Sequence, residues 1–112
     1  MKRLDLKDGF RCSYHYHKHK DETFVIEHGK VVLEYQEPWE QKSNIIFMGF
    51  NDKIRIHPET YHRFWGLHDS RILEVSTTHF EEDSFRDPNR LSGSFTIAEF
   101  NNYMEEHNAT KE

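Results

Sequence analysis

The chain has 112 residues, a net charge of −5, 31% charged residues and a mean hydropathy of −0.95. That length makes one domain with a small core. It contains no apolar run near the about 20 residues of a membrane span and no apolar h-region of a secretory signal in Met1–Asp8, and its negative net charge argues against nucleic-acid binding, which usually needs a basic face.

Nine Phe, five Tyr and two Trp nevertheless mark a folded chain with an aromatic core. The single Cys12 cannot make an internal disulfide and fits a reducing compartment, so a cytoplasmic protein is expected. The aromatic content exceeds what so small a core can absorb, which points to self-association as a homodimer.

Residues 10–16 alternate in part and carry Phe10, Tyr14 and Tyr16. Glu22–His28 is β-branched and aromatic. Gly29-Lys30 is a turn signal, and Val31–Tyr35 resumes the β pattern, so the two segments are expected to form a hairpin. Pro38 sits in a loop. Asn44–Met48 is a short apolar run, followed by a turn at Gly49–Asp52. Lys53–His57 alternates strictly, as a half-buried strand does. Pro58-Glu59-Thr60 is a turn. His62–Trp65 and Arg71–Ser76 complete the strands, and their spacing predicts an all-β barrel or sandwich. After Phe85 the pattern changes. Asp87-Pro88-Asn89 and Ser92-Gly93-Ser94 are linkers, and Thr96-Ile97-Ala98-Glu99 fits a capping box. A helix is predicted at about 97–107, frayed beyond, with Ile97, Phe100, Tyr103 and Met104 on its apolar face. The barrel is assigned to residues 1–95, and the helix and tail to 96–112.

Nine histidines are the compositional anomaly. His15, His17, His19, His57 and His62 are tightly spaced, while His28, His68, His79 and His107 are scattered. His15 and His17 lie two apart on a predicted strand, so both project from one face about 7 Å apart. Glu22 can swing onto that face from the next strand, and His62 can approach across the sheet. Three imidazoles and a carboxylate suit a divalent transition metal; a thiolate site is excluded because Cys12 is alone.

Gly9-(x5)-His15-x-His17-(x4)-Glu22-(x6)-Gly29 reproduces the first motif of the cupin family, and Gly49 to His62 resembles the second more loosely, with His57 at the Pro position and His62 retained. The resemblance covers about residues 9–78 and implies a small jelly-roll β-barrel. It implies His15, His17, Glu22 and His62 as metal ligands, with manganese or zinc foremost and iron or nickel as alternatives. His17-x-His19-x2-Glu22 also resembles the arrangement of cupin mannose-6-phosphate isomerases, in which His19 would replace His15; otherwise His19 sits at the barrel mouth.

Three blocks resemble the cupin D-lyxose isomerases in the same order. They are His15-Tyr16-His17-Lys18-His19-Lys20-Asp21-Glu22, Ile56–Trp65, and Glu74-Val75-Ser76 with the acidic Glu81-Glu82-Asp83. The implied activity is sugar isomerisation or epimerisation on a small carbohydrate through a metal-stabilised enediolate. Lys20 is the expected base or acid and Glu74 its alternative, on a face that is either lumen or solvent. Arg63 and Arg86 are candidates for a phosphate or sugar hydroxyl, Trp65 for stacking on a sugar face, and His19 for contact at the mouth. An iron-dependent oxygenase and a non-enzymatic metal- and sugar-binding cupin are the alternative functions.

Overall fold

The computed structural model describes residues 1–77 and 83–107. Along the chain run β1 (Lys2–Leu6), β2 (Phe10–Arg11), β3 (His15–His17), β4 (Glu22–His28), β5 (Lys30–Gln36), β6 (Asn44–Gly49), β7 (Lys53–Ile56), β8 (Tyr61–Gly66), β9 (Ser70–Ser76), β10 (Ser84–Arg86), β11 (Gly93–Ser94) and α1 (Ile97–Glu106). The protein is an all-β single domain with a short C-terminal helix, as expected. No helix among the described residues is long and apolar enough to cross a membrane.

Two antiparallel sheets face each other. The first has the order β1-β9-β4-β7. In the second, β6 pairs β5 and β5 pairs β8. The other side of β8 meets β3 at one end (His62 opposite His15) and β2 at the other (Trp65 opposite Arg11). β10 and β11 then flank β3 and β2. β1, β10 and the strand character of β11 were not anticipated; Gly93–Ser94, expected as linker, pairs with β2.

The expected hairpin is a correction. β4 pairs with β7 and β9, whereas β5 pairs with β6 and β8, so Gly29 is the corner where the chain leaves one sheet for the other. Gly29 has φ +92°, and a Cβ there would lie 2.2 Å from Ser70 Oγ and 2.5 Å from the Asp69 carbonyl oxygen. The sequence signal for a turn was sound. What joins across it is decided by long-range pairing.

Alternation sorts the side chains. Phe24 and Ile26 of β4, Val31 and Leu33 of β5, Met48 of β6, Ile56 of β7, Phe64 of β8 and Ile72 of β9 fill the space between the sheets. The opposite face of the second sheet is also covered. Val32 and Trp65 pack there against Phe100 and Met104 of α1. This double burial explains why Val31–Leu33 reads as a continuous apolar run and not as an alternation.

The helix begins at the anticipated capping box. The Thr96 hydroxyl accepts from the Glu99 N–H, and the Glu99 carboxylate accepts from the Thr96 N–H. Phe100 and Met104 are buried and Tyr103 is half-buried, but Ile97 is exposed, so the apolar stripe starts one turn later than expected. Residues 108–112 of the tail lie outside the described residues.

Gly29→Ala should therefore destabilise the fold by roughly 3 kcal/mol, from backbone strain and the contact with Ser70 and Asp69 together. Urea unfolding monitored by tryptophan fluorescence measures it.

Candidate functional site

At one end of the space between the sheets lies a cavity of about 400 Å³. His15, His17, His62 and Glu22 line it, with Lys20, Glu74, Cys12, Phe24, Arg63, Phe64 and the β1 and β10 residues Lys2, Leu4, Ser84 and Arg86.

β3 supplies His15 and His17 from one face, as their spacing predicts. β8 supplies His62, placed directly across from His15 by the β3–β8 register. One ring nitrogen from each of the three lies within 4.8 Å of the others. Two of the rings are fixed from behind. His15 Nδ1 lies 2.8 Å from the Ser13 carbonyl and His62 Nδ1 lies 3.0 Å from the Thr60 carbonyl. Donation to those carbonyls leaves each Nε2 lone pair aimed at the centre, the outer-sphere arrangement typical of metal-binding histidines.

Glu22 opens β4 and is almost fully buried. Its Oε1 accepts no hydrogen bond yet sits 3.2 Å from His62 Nε2 and 3.6 Å from His17 Nε2. A buried carboxylate oxygen without a hydrogen bond, beside three imidazole nitrogens, is what a hard, divalent cation would satisfy. The donor set therefore fits a transition metal.

The electrostatics agree. Burial and the neighbouring His62 and His17 hold His15 down to about 4 despite its bond to Ser13 and the pull of Glu22. Burial also lowers His17 against the pull of Glu22. For Glu22 burial acts upward, but the imidazoles of His62 and His17 and the Lys20 ammonium outweigh it and keep the carboxyl below its ordinary value. Neutral imidazoles beside an ionised carboxylate are the protonation states a cation needs. Burial pushes the Cys12 thiol up, so it is a poor nucleophile.

The second half of the site is a buried charge pair. Lys20 Nζ is 2.9 Å from Glu74 Oε2 and 3.6 Å from Glu22 Oε2. Lys20 is 6% exposed and Glu74 5%. Glu74 therefore faces the interior, which alternation alone left open. Lys20 is not a loop lysine in solvent. The β3–β4 connection is held by Asp83, whose carboxylate accepts from the backbone N–H groups of Lys18 at 2.7 Å, His19 at 2.9 Å and Lys20 at 3.0 Å. Glu81 and Glu82, its neighbours in the acidic block, lie outside the described residues.

Of the expected substrate contacts, His19 and Trp65 do not line the cavity, and Arg63 lines it with its guanidinium turned to another partner. His19 is exposed and outside the imidazole triad, so His15 and not His19 accompanies His17. The Arg63 guanidinium is committed to Glu34, with Nε 2.6 Å from Oε1. Trp65 is fully buried beneath α1, its indole N–H also donating to Glu34. Both leave the face of β8 opposite to His62 and Phe64, because adjacent strand residues point to opposite sides.

No protein-family model and no curated protein sequence matches the chain. Solved structures do. A sugar 3,4-ketoisomerase, QdtA from Thermoanaerobacterium thermosaccharolyticum in complex with TDP, superimposes with TM-score 0.64 at 20% identity, over 79% of this chain and 66% of that one. A dTDP sugar isomerase from Desulfovibrio desulfuricans G20 gives 0.69 at 14% identity, over 78% and 62%. The Drosophila melanogaster CENP-C cupin domain gives 0.63 at 16% identity, over 67% and 58%. The fold is that of the cupins. The chain spans about two thirds or less of the length of these three proteins, and at such identities the likeness concerns the fold.

Because His15 and His17 take up protons more readily unfolded than folded, the unfolded chain gains protons first as pH falls below about 6.5. Stability of the metal-free protein should thus drop between about pH 6.5 and 4, before the depressed Glu22 adds its own loss at lower pH. Thermal melts across that range should show the decline, and His15→Gln should flatten it.

Proposed function

We propose that this cupin is a metal-dependent sugar isomerase or epimerase-like protein acting on a small carbohydrate. The observation that carries the proposal is the buried Lys20–Glu74 pair at 2.9 Å, in the same cavity as the His15–His17–His62 triad and Glu22. The sugar 3,4-ketoisomerase and the dTDP sugar isomerase that share this fold support the same class of chemistry.

His15, His17, His62 and Glu22 would hold the metal, with manganese or zinc preferred and iron or nickel as alternatives. A divalent cation there supplies Lewis acidity to oxygens on adjacent sugar carbons. The chain's own groups supply the proton transfer. In an aldose–ketose interconversion a proton leaves one carbon and returns to its neighbour, so no external oxidant or reductant is consumed. Lys20 and Glu74 form a donor and acceptor already in hydrogen-bonding contact, shielded from bulk water. Lys20 is assigned the transfer and Glu74 holds its ammonium in place and can exchange a proton with it. Phe24 and Phe64 give the cavity an apolar wall that strengthens these electrostatic contacts.

Two variants separate the parts. His15→Ala/His17→Ala should lose bound metal by elemental analysis. Lys20→Met should keep the metal and lose roughly 10²–10⁴-fold in rate, the usual share of acid–base catalysis. The assay is incorporation of solvent deuterium at the sugar C2 position in a pentose and hexose screen with manganese. Absence of exchange with every sugar would leave a metal- and sugar-binding module, and oxygen uptake with bound iron would indicate an oxygenase.

A homodimer is part of the same proposal. β6 has β5 as its sole sheet partner among the described residues, and Trp39 and Phe50 are each 78% exposed. An open strand edge beside exposed aromatics is a ready pairing surface. Sedimentation at micromolar concentration should give twice 13.6 kDa.

A further inference from the structure

β1 and β10 were the least legible strands in the sequence, and each brings one cation to the cavity. On β1, Leu4 and Leu6 pack into the core between the sheets, so Lys2 lies on the same inward face. The β1–β9 register sets Lys2 opposite Glu74. On β10, Ser84 pairs with His17 and Arg86 with His15. Phe85 between them stacks on Tyr16, on the outer side. Ser84 and Arg86 therefore share the face of the metal-type histidines. Lys2 and Arg86 both line the cavity from opposite sheets and both reach solvent, which places them at its mouth.

Neither has a carboxylate partner among the described residues. Three other arginines do: Arg55 pairs with Asp21, Arg71 with Asp5, and Arg90 with Asp87. Lys20 bridges the two acids inside the cavity, Glu74 and Glu22, and offsets one of their two negative charges. Apart from Arg63, which is paired with Glu34, Lys2 and Arg86 bring the count to three cationic side chains against two carboxylates. The walls thus carry a surplus of positive charge, in a chain whose net charge is −5, and a bound divalent cation would increase it. A neutral sugar has no use for that surplus.

We propose that Lys2 and Arg86 bind an anionic group on the substrate, a carboxylate or a phosphomonoester, so that the cavity selects acidic sugars over neutral ones. This specificity rests on the isomerase assignment above for its second substrate contact, the reacting carbons beside the triad. Arg86 offers a planar fork that matches two oxygens of either anion, and Lys2 a mobile point charge. The single described helix packs on the opposite side of its sheet, so side chains and not a helix N-terminus hold the anion.

The experiment is calorimetric titration of the manganese-loaded protein with D-glucuronate, D-glucose 6-phosphate and D-glucose. Wild type, Lys2→Ala, Arg86→Ala, the double variant and Lys53→Ala as an outer-surface control are compared. At least one anionic probe should bind about tenfold or more tighter than glucose, and its affinity should fall as salt is raised. Whether glucuronate or the phosphate wins identifies the anion. Each single variant should weaken that probe about tenfold, as expected for losing one charged hydrogen bond, with metal content and glucose binding unchanged. Lys53→Ala should change nothing. Equal affinity for glucose and the acidic sugars, no measurable binding of either acidic sugar at millimolar concentration, or a preference that survives in the double variant overturns the proposal. Deuterium exchange keeps the two assignments apart. Anion preference without exchange removes the isomerase and leaves the anion site. Exchange on a neutral sugar that is indifferent to Lys2 and Arg86 does the reverse.

Discussion

The ion pair between Glu34 and Arg63 joins two neighbouring strands of the second sheet on the face beneath α1. Glu34 is fully buried, and the two residues stand directly opposite each other in the β5–β8 register. The carboxylate accepts from Arg63, from the Trp65 indole and from the Tyr103 hydroxyl, which ties α1 to the sheet. Burial and the bond to Glu34 together push the Tyr103 phenol up to about 12, so it serves only as a donor. A buried carboxylate is tolerated only when it is paired and hydrogen-bonded, and a shift of one residue would turn every side chain of the strand over. Arg63 would then enter the inner core and Glu34 would lose its partner. The pair thus makes one register far better than its neighbours. That same register sends His62 inward, opposite His15.

Inside, the order of packing reverses the usual apolar preference at one end only. Phe24, Leu33, Phe64 and Ile72 fill most of the space between the sheets, and the polar groups concentrate at the cavity. Glu22 and Glu74 begin and nearly end two adjacent strands, β4 and β9, and Lys20 reaches between them. Desolvation makes three titratable histidines, two carboxylates and an ammonium costly to assemble. The fixed tautomers of His15 and His62 and the Lys20 bridges offset part of that cost. The Glu22 oxygen without a hydrogen bond marks where the rest of the compensation is missing in the protein alone.

The local signals were readable and the long-range ones were not. The His15-x-His17 pair declared a common face through strand periodicity, and Thr96 with Glu99 declared a helix start, because each depends only on neighbours in sequence. Gly29 declared a turn but not its partners, since nothing local tells β4 to pair with β7 and β9. The fate of Glu74 required knowing which face of β9 the first sheet buries. Trp65 looked available for stacking because aromatic content cannot distinguish an inner face from an outer one when a helix covers the latter. Lys2 was invisible for a further reason: Lys2–Leu6 mixes charge and leucine in a way that acquires meaning only once β9 lies beside it. Arg86 was noted as a candidate, but β10 gives it a direction.

Asp83 shows how the two halves of the site are coupled. The connection from β3 to β4 leaves the ladder just after a candidate metal ligand and returns just before another. Three successive backbone N–H groups, those of Lys18, His19 and Lys20, would lack sheet partners there. One buried carboxylate from the far side of the sequence accepts all three. Burial alone would raise Asp83, but these backbone donors hold it below its ordinary value. The loop is consequently pinned at the residues that separate His17 from Lys20. Imidazole placement on β3 and ammonium placement beside Glu74 then become one constraint, because the backbone between them has no freedom to move one without the other. A cupin barrel by itself supplies only the face for the histidines. The short pinned loop, with a lysine turned inward at its end, is what adds an ammonium beside a metal-type site.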